Sequence, residues 1–325
     1  MGGNAFTSGP SPLSTPRMPP EIYLRLRDHY LSLLKTLYAQ VATPVEAPAK
    51  RSYGDIDILV SQAIECSSPP TTESLSKALD AVKVFTNSGS GITSFAVPYP
   101  DRVKDHVQLD VHVCPEGSFE WQLFHQSHGD LWNLLSTTIR PFGLTANDVG
   151  FHVRIPEIEE LNKKRSLLLL TNEPSAVLEF LGLDVNEYQR PFGSVEAMYE
   201  YTVSCRFFRA DTYVRSGLKA NDRKRMAQRE LYRRFVDEWV PENAQFIKTR
   251  GSSDARFMRE DVQEAALGRW GKGGEFERRV EEWRREREDL RTKQEGRVRR
   301  KEEAIEEALY ADAWIGWMEG NESVG

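Results

Sequence analysis

Hydrophobic and polar positions alternate most clearly in two short runs. In Tyr53-Gly54-Asp55-Ile56-Asp57-Ile58-Leu59-Val60, branched apolar residues follow a glycine-containing turn, which predicts a buried β-strand. Strand side chains alternate, so Asp55 and Asp57 point to one face while Ile56 and Ile58 fill the core behind them. Residues 107–113 alternate strictly, with Gln108, Asp110 and His112 on one side and Val107, Leu109, Val111 and Val113 on the other. Residues 93–99 are expected to pair antiparallel with this second run across Pro100-Asp101, giving with the first run a small mixed sheet with helices against it.

Elsewhere the period is helical. Ile22, Leu26, Tyr30, Leu33 and Leu37 form one apolar stripe on a helix that ends before Pro44. Residues 73–85 read as a helix with Leu75, Leu79 and Val82 inward. Another helix centres on Leu131, Leu134, Leu135 and Ile139 and is stopped by Pro141 and Gly143. Two short strands follow at 151–155 and 166–170. From Ser175 the chain is expected to be almost wholly helical, over 175–181 up to Gly182, 194–208 and 219–240. Residues 251–274 loosen around a short helix. Residues 275–307 then read as a long solvated helix with Phe276, Trp283, Leu290, Val298 and Ile305 about one heptad apart. A coiled coil needs two apolar positions per heptad, so this single seam is expected to rest on the body or on a protein partner.

The expected class is therefore α+β: a small mixed sheet with flanking helices, a helical domain, and a long charged C-terminal helix. The expected segments are a Pro/Ser/Gly-rich stretch at 1–20, a core at 21–172, a helical domain at 173–250 and a linker with charged extension at 251–325. The five prolines at 10, 12, 16, 19 and 20 keep the first segment out of helix.

Composition narrows the setting. A net charge of -6 does not advertise nucleic-acid binding, so any basic footprint must be local. Cys66, Cys114 and Cys205 are odd in number and widely spaced, which argues against a disulfide framework and for a reducing compartment. No apolar run reaches membrane-spanning length and the first residues lack a signal-peptide core; an intracellular, soluble protein with no membrane partner is expected.

The chemistry concentrates on the two alternating runs. Two carboxylates roughly 6–7 Å apart along a strand cannot face a dry interior without a cation, a proton or a donor. With Asp110 on the second strand they form the oxygen-rich set that Mg²⁺ or Mn²⁺ takes. Against this stands the plain surface turn, in which Asp-x-Asp is common. His112, Cys114, His125 and His128 fit no standard zinc spacing and read as hydrogen-bonded groups. Asn87-Ser88-Gly89-Ser90-Gly91 lacks a full phosphate-loop pattern and reads as a flexible turn. Met198, Tyr199, Tyr201, Phe207, Phe235 and Trp239 could stack a base, but at helical spacing they read as core. Lys219, Arg223, Lys224, Arg225, Arg229, Arg233 and Arg234 make a positive surface usable for phosphates, or one paired with acids.

Gly-Asp-Ile-Asp-Ile-Leu-Val and Leu-Asp-Val-His-Val resemble the catalytic core of the DNA polymerase β-like nucleotidyltransferase superfamily. Gly-Gly-Asn-Ala-Phe at 2–6 and Arg17-Met18 resemble a subgroup from phages and fungi. His128-Gly129-Asp130-Leu131, Leu181-Gly182-Leu183-Asp184 and 229–235 extend the likeness over most of 2–242. The resemblance implies that Asp55, Asp57 and Asp110 are both catalytic and metal-binding. It further implies transfer of a nucleoside monophosphate from a nucleoside triphosphate to a hydroxyl, an RNA end or another acceptor, with release of pyrophosphate. One motif departs: the superfamily's Gly-Ser phosphate clamp ahead of the acidic strand is replaced by 42–51, which has no Gly-Ser pair. Phosphate binding would then fall to Gly2, Gly3, Arg17, Lys50, Arg51 and Ser52. A chain that keeps the carboxylates but only binds metal or nucleotide is the alternative.

Overall fold

A computed structural model describes residues 3–64, 69–86, 91–250 and 257–322. Gly2, Cys66 with the loop around it, Asn87 to Ser90, and Ser252-Ser253 lie outside the described residues.

The first half is a five-stranded mixed sheet. Helix α1 (Pro20–Leu34) precedes β1 (Tyr38–Ala42) and β2 (Asp55–Ala63); α2 (Thr72–Ala78), β3 (Lys83–Thr86), β4 (Ile92–Pro98) and β5 (His106–Val113) follow, in sheet order β1-β2-β5-β4-β3. β2 and β5 run parallel, while every other neighbour pair is antiparallel. The expected pairing of β4 with β5 is present, with Ser94 opposite Asp110. Ile56, Ile58, Val107, Leu109 and Val111 are fully buried with Tyr23, Leu26, Tyr30 and Leu34 of α1, so the apolar faces read from the alternation are the core faces.

Two helical expectations give way to strands. The stripe from Ile22 to Leu37 ends early, at Leu34, and Tyr38–Ala42 becomes an edge strand on β2. Residues 73–85 are helical only to Ala78, after which β3 pairs with β4 and Val82 is left exposed. In both places the backbone groups at a sheet edge find partners in a segment whose local period looks helical, so long-range pairing overrides local pattern.

The second half opens with α3 (Phe119–Gln126) and α4 (Leu131–Ile139), the latter closed by Gly143 in the left-handed region. A three-stranded antiparallel sheet follows: β6 (Leu144–Asn147), β7 (Gly150–Arg154) and β8 (Leu167–Thr171), with α5 (Pro156–Glu159) between the last two. Then come α6 (Pro174–Leu181), α7 (Val185–Tyr188) and α8 (Val195–Val203). The helix expected over 219–240 is broken. α9 (Ala220–Gln228) and α10 (Glu230–Arg234) meet at Arg229, whose backbone is extended, and a π-helical turn at Phe235–Trp239 leads into α11 (Val240–Glu242) and α12 (Ala244–Arg250). α13 (Arg259–Arg269) adds Val262 and Ala266 to the same core.

That core runs from Trp121 to Ala266, so residues 121–172 pack with the helices after them. Met198, Tyr199, Tyr201, Phe207 and Phe235 are buried in it and Trp239 packs against it, in agreement with the core reading of these side chains. The last helix, α14 (Gly273–Glu322), is 50 residues long. Its first turns belong to the body: Val280 is buried with Ile155 and Ile158, and Phe276 and Trp283 pack on them. Among the described residues no helix is long and apolar enough to cross a membrane.

Candidate functional site

The parallel pairing of β2 and β5 decides how the acids meet. Asp57 lies directly opposite Asp110, Asp55 opposite Gln108, and Leu59 opposite His112. Because both strands alternate in phase, Asp55, Asp57, Gln108, Asp110 and His112 emerge on one face, opposite the buried isoleucines and valines. Gly54 at the strand entrance leaves room for the N-terminal segment, which crosses this face rather than standing in solvent. The Gly3 amide donates to Asp55 Oδ2 at 3.2 Å, the Ala5 amide to Gln108 Oε1 at 2.8 Å, and Phe6 is buried. Gly3 has φ +85°, and a Cβ there would lie 2.3 Å from the Gly54 carbonyl oxygen, so only glycine fits.

Each carboxylate has its own protein partner. Asp57 Oδ1 is 3.1 Å from His112 Nε2, and its side chain is 43% exposed, the most open of the three. Gln108 Nε2 donates to both Asp110 oxygens, at 3.0 and 2.9 Å, and Ser94 bonds the same buried carboxylate. Burial, then the charges of Asp57 and Asp110, push the Asp55 carboxyl up to about 6 against the opposing pull of Lys50 and the Gly3 amide. Burial likewise raises Asp110, with Asp57 adding to it and Ser94 and Gln108 opposing. These are the signs of crowded negative charge that a cation would relieve.

Above the acids opens a cleft of about 230 Å³, lined by Asp55, Asp57 and Gly54 from the sheet, by Pro44, Val45, Glu46 and Lys50 from the preceding loop, and by Gln126, Gly129 and Arg229 from the second half; Arg17 completes it. Asp110, bonded to Gln108, does not line it. Lys50 Nζ donates to Glu46 at 2.6 Å and sits 4.7 Å over the Tyr53 ring, which stacks on Tyr23. Arg17 donates from Nε to Ser52 Oγ and from Nη2 to the Ser52 carbonyl, at 2.8 and 2.6 Å. Ser52 thus orients Arg17, while Arg51 is exposed and stands outside the lining.

Arg229 is the cation of the basic stretch that lines the cleft. Its extended backbone between α9 and α10 turns the guanidinium toward the cleft, where it is held by Asp130 at 2.5 Å. Gly129 sits on the same rim at φ +61°, its Cβ position 2.6 Å from that of Ala47. The signal was present in His128-Gly129-Asp130 and in 229–235, but only the fold brings the two stretches together. Several other cations of that basic stretch are spent locally, Arg225 on Asp222 and Asn133, and Arg234 beside Glu196 and Glu238.

The donor set suits a hard divalent cation, being all carboxylate with two members destabilised as anions. Among the described residues, however, no three His, Cys, Asp or Glu side chains are gathered as a ligand set. Each of the three acids engages a different partner instead, Asp55 the Gly3 amide, Asp110 Gln108 and Asp57 His112. His128 and Cys114 take no part: His128 is buried with Nε2 2.7 Å from the Tyr188 carbonyl, and Cys114 is a buried free thiol. No protein-family model and no curated protein matches the chain.

Proposed function

We propose that this chain is a metal-dependent nucleotidyltransferase, moving a nucleoside monophosphate from a nucleoside triphosphate to a hydroxyl acceptor with release of pyrophosphate. One observation carries the reading: an acidic triad fixed by strand register lies beneath a cleft rimmed by three cations, Arg17, Lys50 and Arg229. A cleft lined by both acids and cations suits a ligand that is itself anionic and needs counter-charge at both its phosphates and its metal.

In this reading Asp55, Asp57 and Asp110 hold Mg²⁺ or Mn²⁺. The bound metal supplies acidity to the attacking hydroxyl and charge relief to the α-phosphate. Arg17, Lys50 and Arg229 neutralise the phosphates in place of a Gly-Ser clamp, with Arg229 giving a planar fork and Lys50 a point charge. Gln108 keeps Asp110 oriented, and His112 does the same for Asp57. The acceptor oxygen would bond to the α-phosphorus as the bond from that phosphorus to the α–β bridging oxygen breaks, the hydroxyl proton passing to water and pyrophosphate leaving with the bridging oxygen.

A second reading, a nucleotide or metal binder without turnover, is favoured by the separate partners of the three carboxylates. Incubation with each α-labelled triphosphate, Mg²⁺ or Mn²⁺, and an RNA pool or cell extract separates the two. Transfer of label to an acceptor, abolished by Asp57→Asn, supports the enzyme; nucleotide-dependent thermal stabilisation without transfer supports the binder. Neither effect with any triphosphate would sink both.

A further inference from the structure

Beyond Trp283 the last helix leaves the body. From Arg284 to Asp312 every residue but Gly296 is exposed, and Arg284 to Glu157 and Arg165 to Glu286 tie its start to the globular part. The stretch from Arg287 to Glu322 extends about 50 Å at 1.5 Å per residue. It keeps an apolar seam: Leu290, Val298, Ile305 and Leu309, between 50 and 65% exposed, continue the line on which Phe276, Val280 and Trp283 rest against the body. A seam bedded at one end and bare at the other calls for a second surface.

From Arg291 to Asp312 the charges are not mixed but sorted. Arg291, Lys293, Arg297, Arg299, Arg300 and Lys301 stand with a single acid, Glu295, and the next turns carry Glu302, Glu303, Glu306, Glu307 and Asp312 with no base. Local pairs such as Arg291–Glu295 at 3.5 Å and Arg299–Glu303 at 3.7 Å support the helix but leave the two blocks largely uncompensated. Laid parallel, two copies would set base on base and acid on acid. Laid antiparallel, each basic block lies along the other copy's acidic block. With the two-fold axis between Lys301 and Glu302, Val298 faces Ile305, Gln294 faces Leu309 and Arg291 faces Asp312.

We infer that the free half of α14 is a self-association surface whose partner is a second copy of this chain, docked antiparallel about residues 301 and 302. The arrangement is independent of the cleft's chemistry. Its narrow seam makes charge pairing the main determinant of register, so the association is salt-sensitive.

The test uses the full chain. Sedimentation or light scattering should show a dimer at low ionic strength, with the dissociation constant raised at least about tenfold in high salt. The triple variants Arg297→Glu/Arg300→Glu/Lys301→Glu and Glu303→Lys/Glu306→Lys/Glu307→Lys should each be monomeric, with unchanged helical circular dichroism, and an equimolar mixture of the two should recover the dimer. Mixed chains bearing Gln294→Cys and Leu309→Cys should cross-link to each other in preference to themselves. A chain monomeric at every salt and concentration, a dimer indifferent to both reversals, a mixture that stays monomeric, or dominant Gln294→Cys homodisulfides would overturn the proposal. So would association seen only with added RNA or anionic vesicles.

Discussion

The floor and the rim of the cleft are built in opposite ways. The floor acids sit on two hydrogen-bonded strands whose register fixes Asp57 beside Asp110, whereas the rim cations come from a proline-punctuated N-terminal segment, a loop and a helix break far along the chain. Among the described residues, the floor acids are met by the Gly3 amide, Gln108 and His112 rather than by a lysine or arginine hydrogen bond. The rim is paired in advance, Lys50 with Glu46 and Arg229 with Asp130. Negative charge is thus concentrated where a cation would enter, and positive charge is held in partly satisfied pairs that a phosphate would have to share.

The sharpest way to break this contrast is Asp57→Asn, which removes the most open floor charge. Metal-dependent transfer and Mg²⁺-induced thermal stabilisation should fall at least about a hundredfold and to near zero respectively, since even residues supporting a metal's ligands commonly cost 10–100-fold. Next comes Gly3→Ala, which drives a methyl into the Gly54 carbonyl and lifts the N-terminal segment off Asp55 and Gln108. A loss of about 2–3 kcal/mol in chemical denaturation is expected, from the strained φ and the uncovered Phe6. Arg229→Ala should weaken triphosphate binding about tenfold in titration calorimetry, through loss of one charge-assisted contact. Arg51→Ala, outside the lining, should leave it unchanged.

The pH response of Asp55 has a sign opposite to that of most carboxylates. Because the Asp55 carboxyl titrates near 6 in the folded chain, the native state keeps a proton that the unfolded chain releases from about pH 4 upward. Stability therefore declines as pH rises through that window, and the penalty stands in full above it. Asp55→Asn retains an acceptor for the Gly3 amide and removes the charge. It should raise stability by about 1–2 kcal/mol at pH 7.5 and by nothing near pH 4, measured by urea denaturation without metal.

Legibility followed the same division. Period-two alternation is a local property, so β2, β5 and the shared face of Asp55, Asp57 and Asp110 could be read from the residues, as could the end of α4 at Gly143. Edge strands β1 and β3 could not, because Tyr38–Ala42 and Lys83–Thr86 become strands only when β2 and β4 offer backbone partners. Arg229 was legible only as one of seven cations usable for phosphates; which of them reaches the cleft depends on a bend whose partner, Asp130, lies 99 residues earlier. The docking of Gly3 and Phe6 follows no period and rests on a glycine at φ +85° and a buried apolar side chain. Of the cations named as phosphate candidates, Arg17 and Lys50 line the cleft, while Arg51 faces solvent.

One small junction bears on how a ligand would be received. The loop carrying Glu46 and Lys50 is stitched to the second half by the Val45 amide on Ser127 Oγ and by the His128 amide on the Val45 carbonyl, and the left-handed Gly129 presses against Ala47. Both jaws of the slot are thereby tied at their common base. Spreading them would break these contacts, so a ligand that fits the opening as it stands is favoured over one that must widen it.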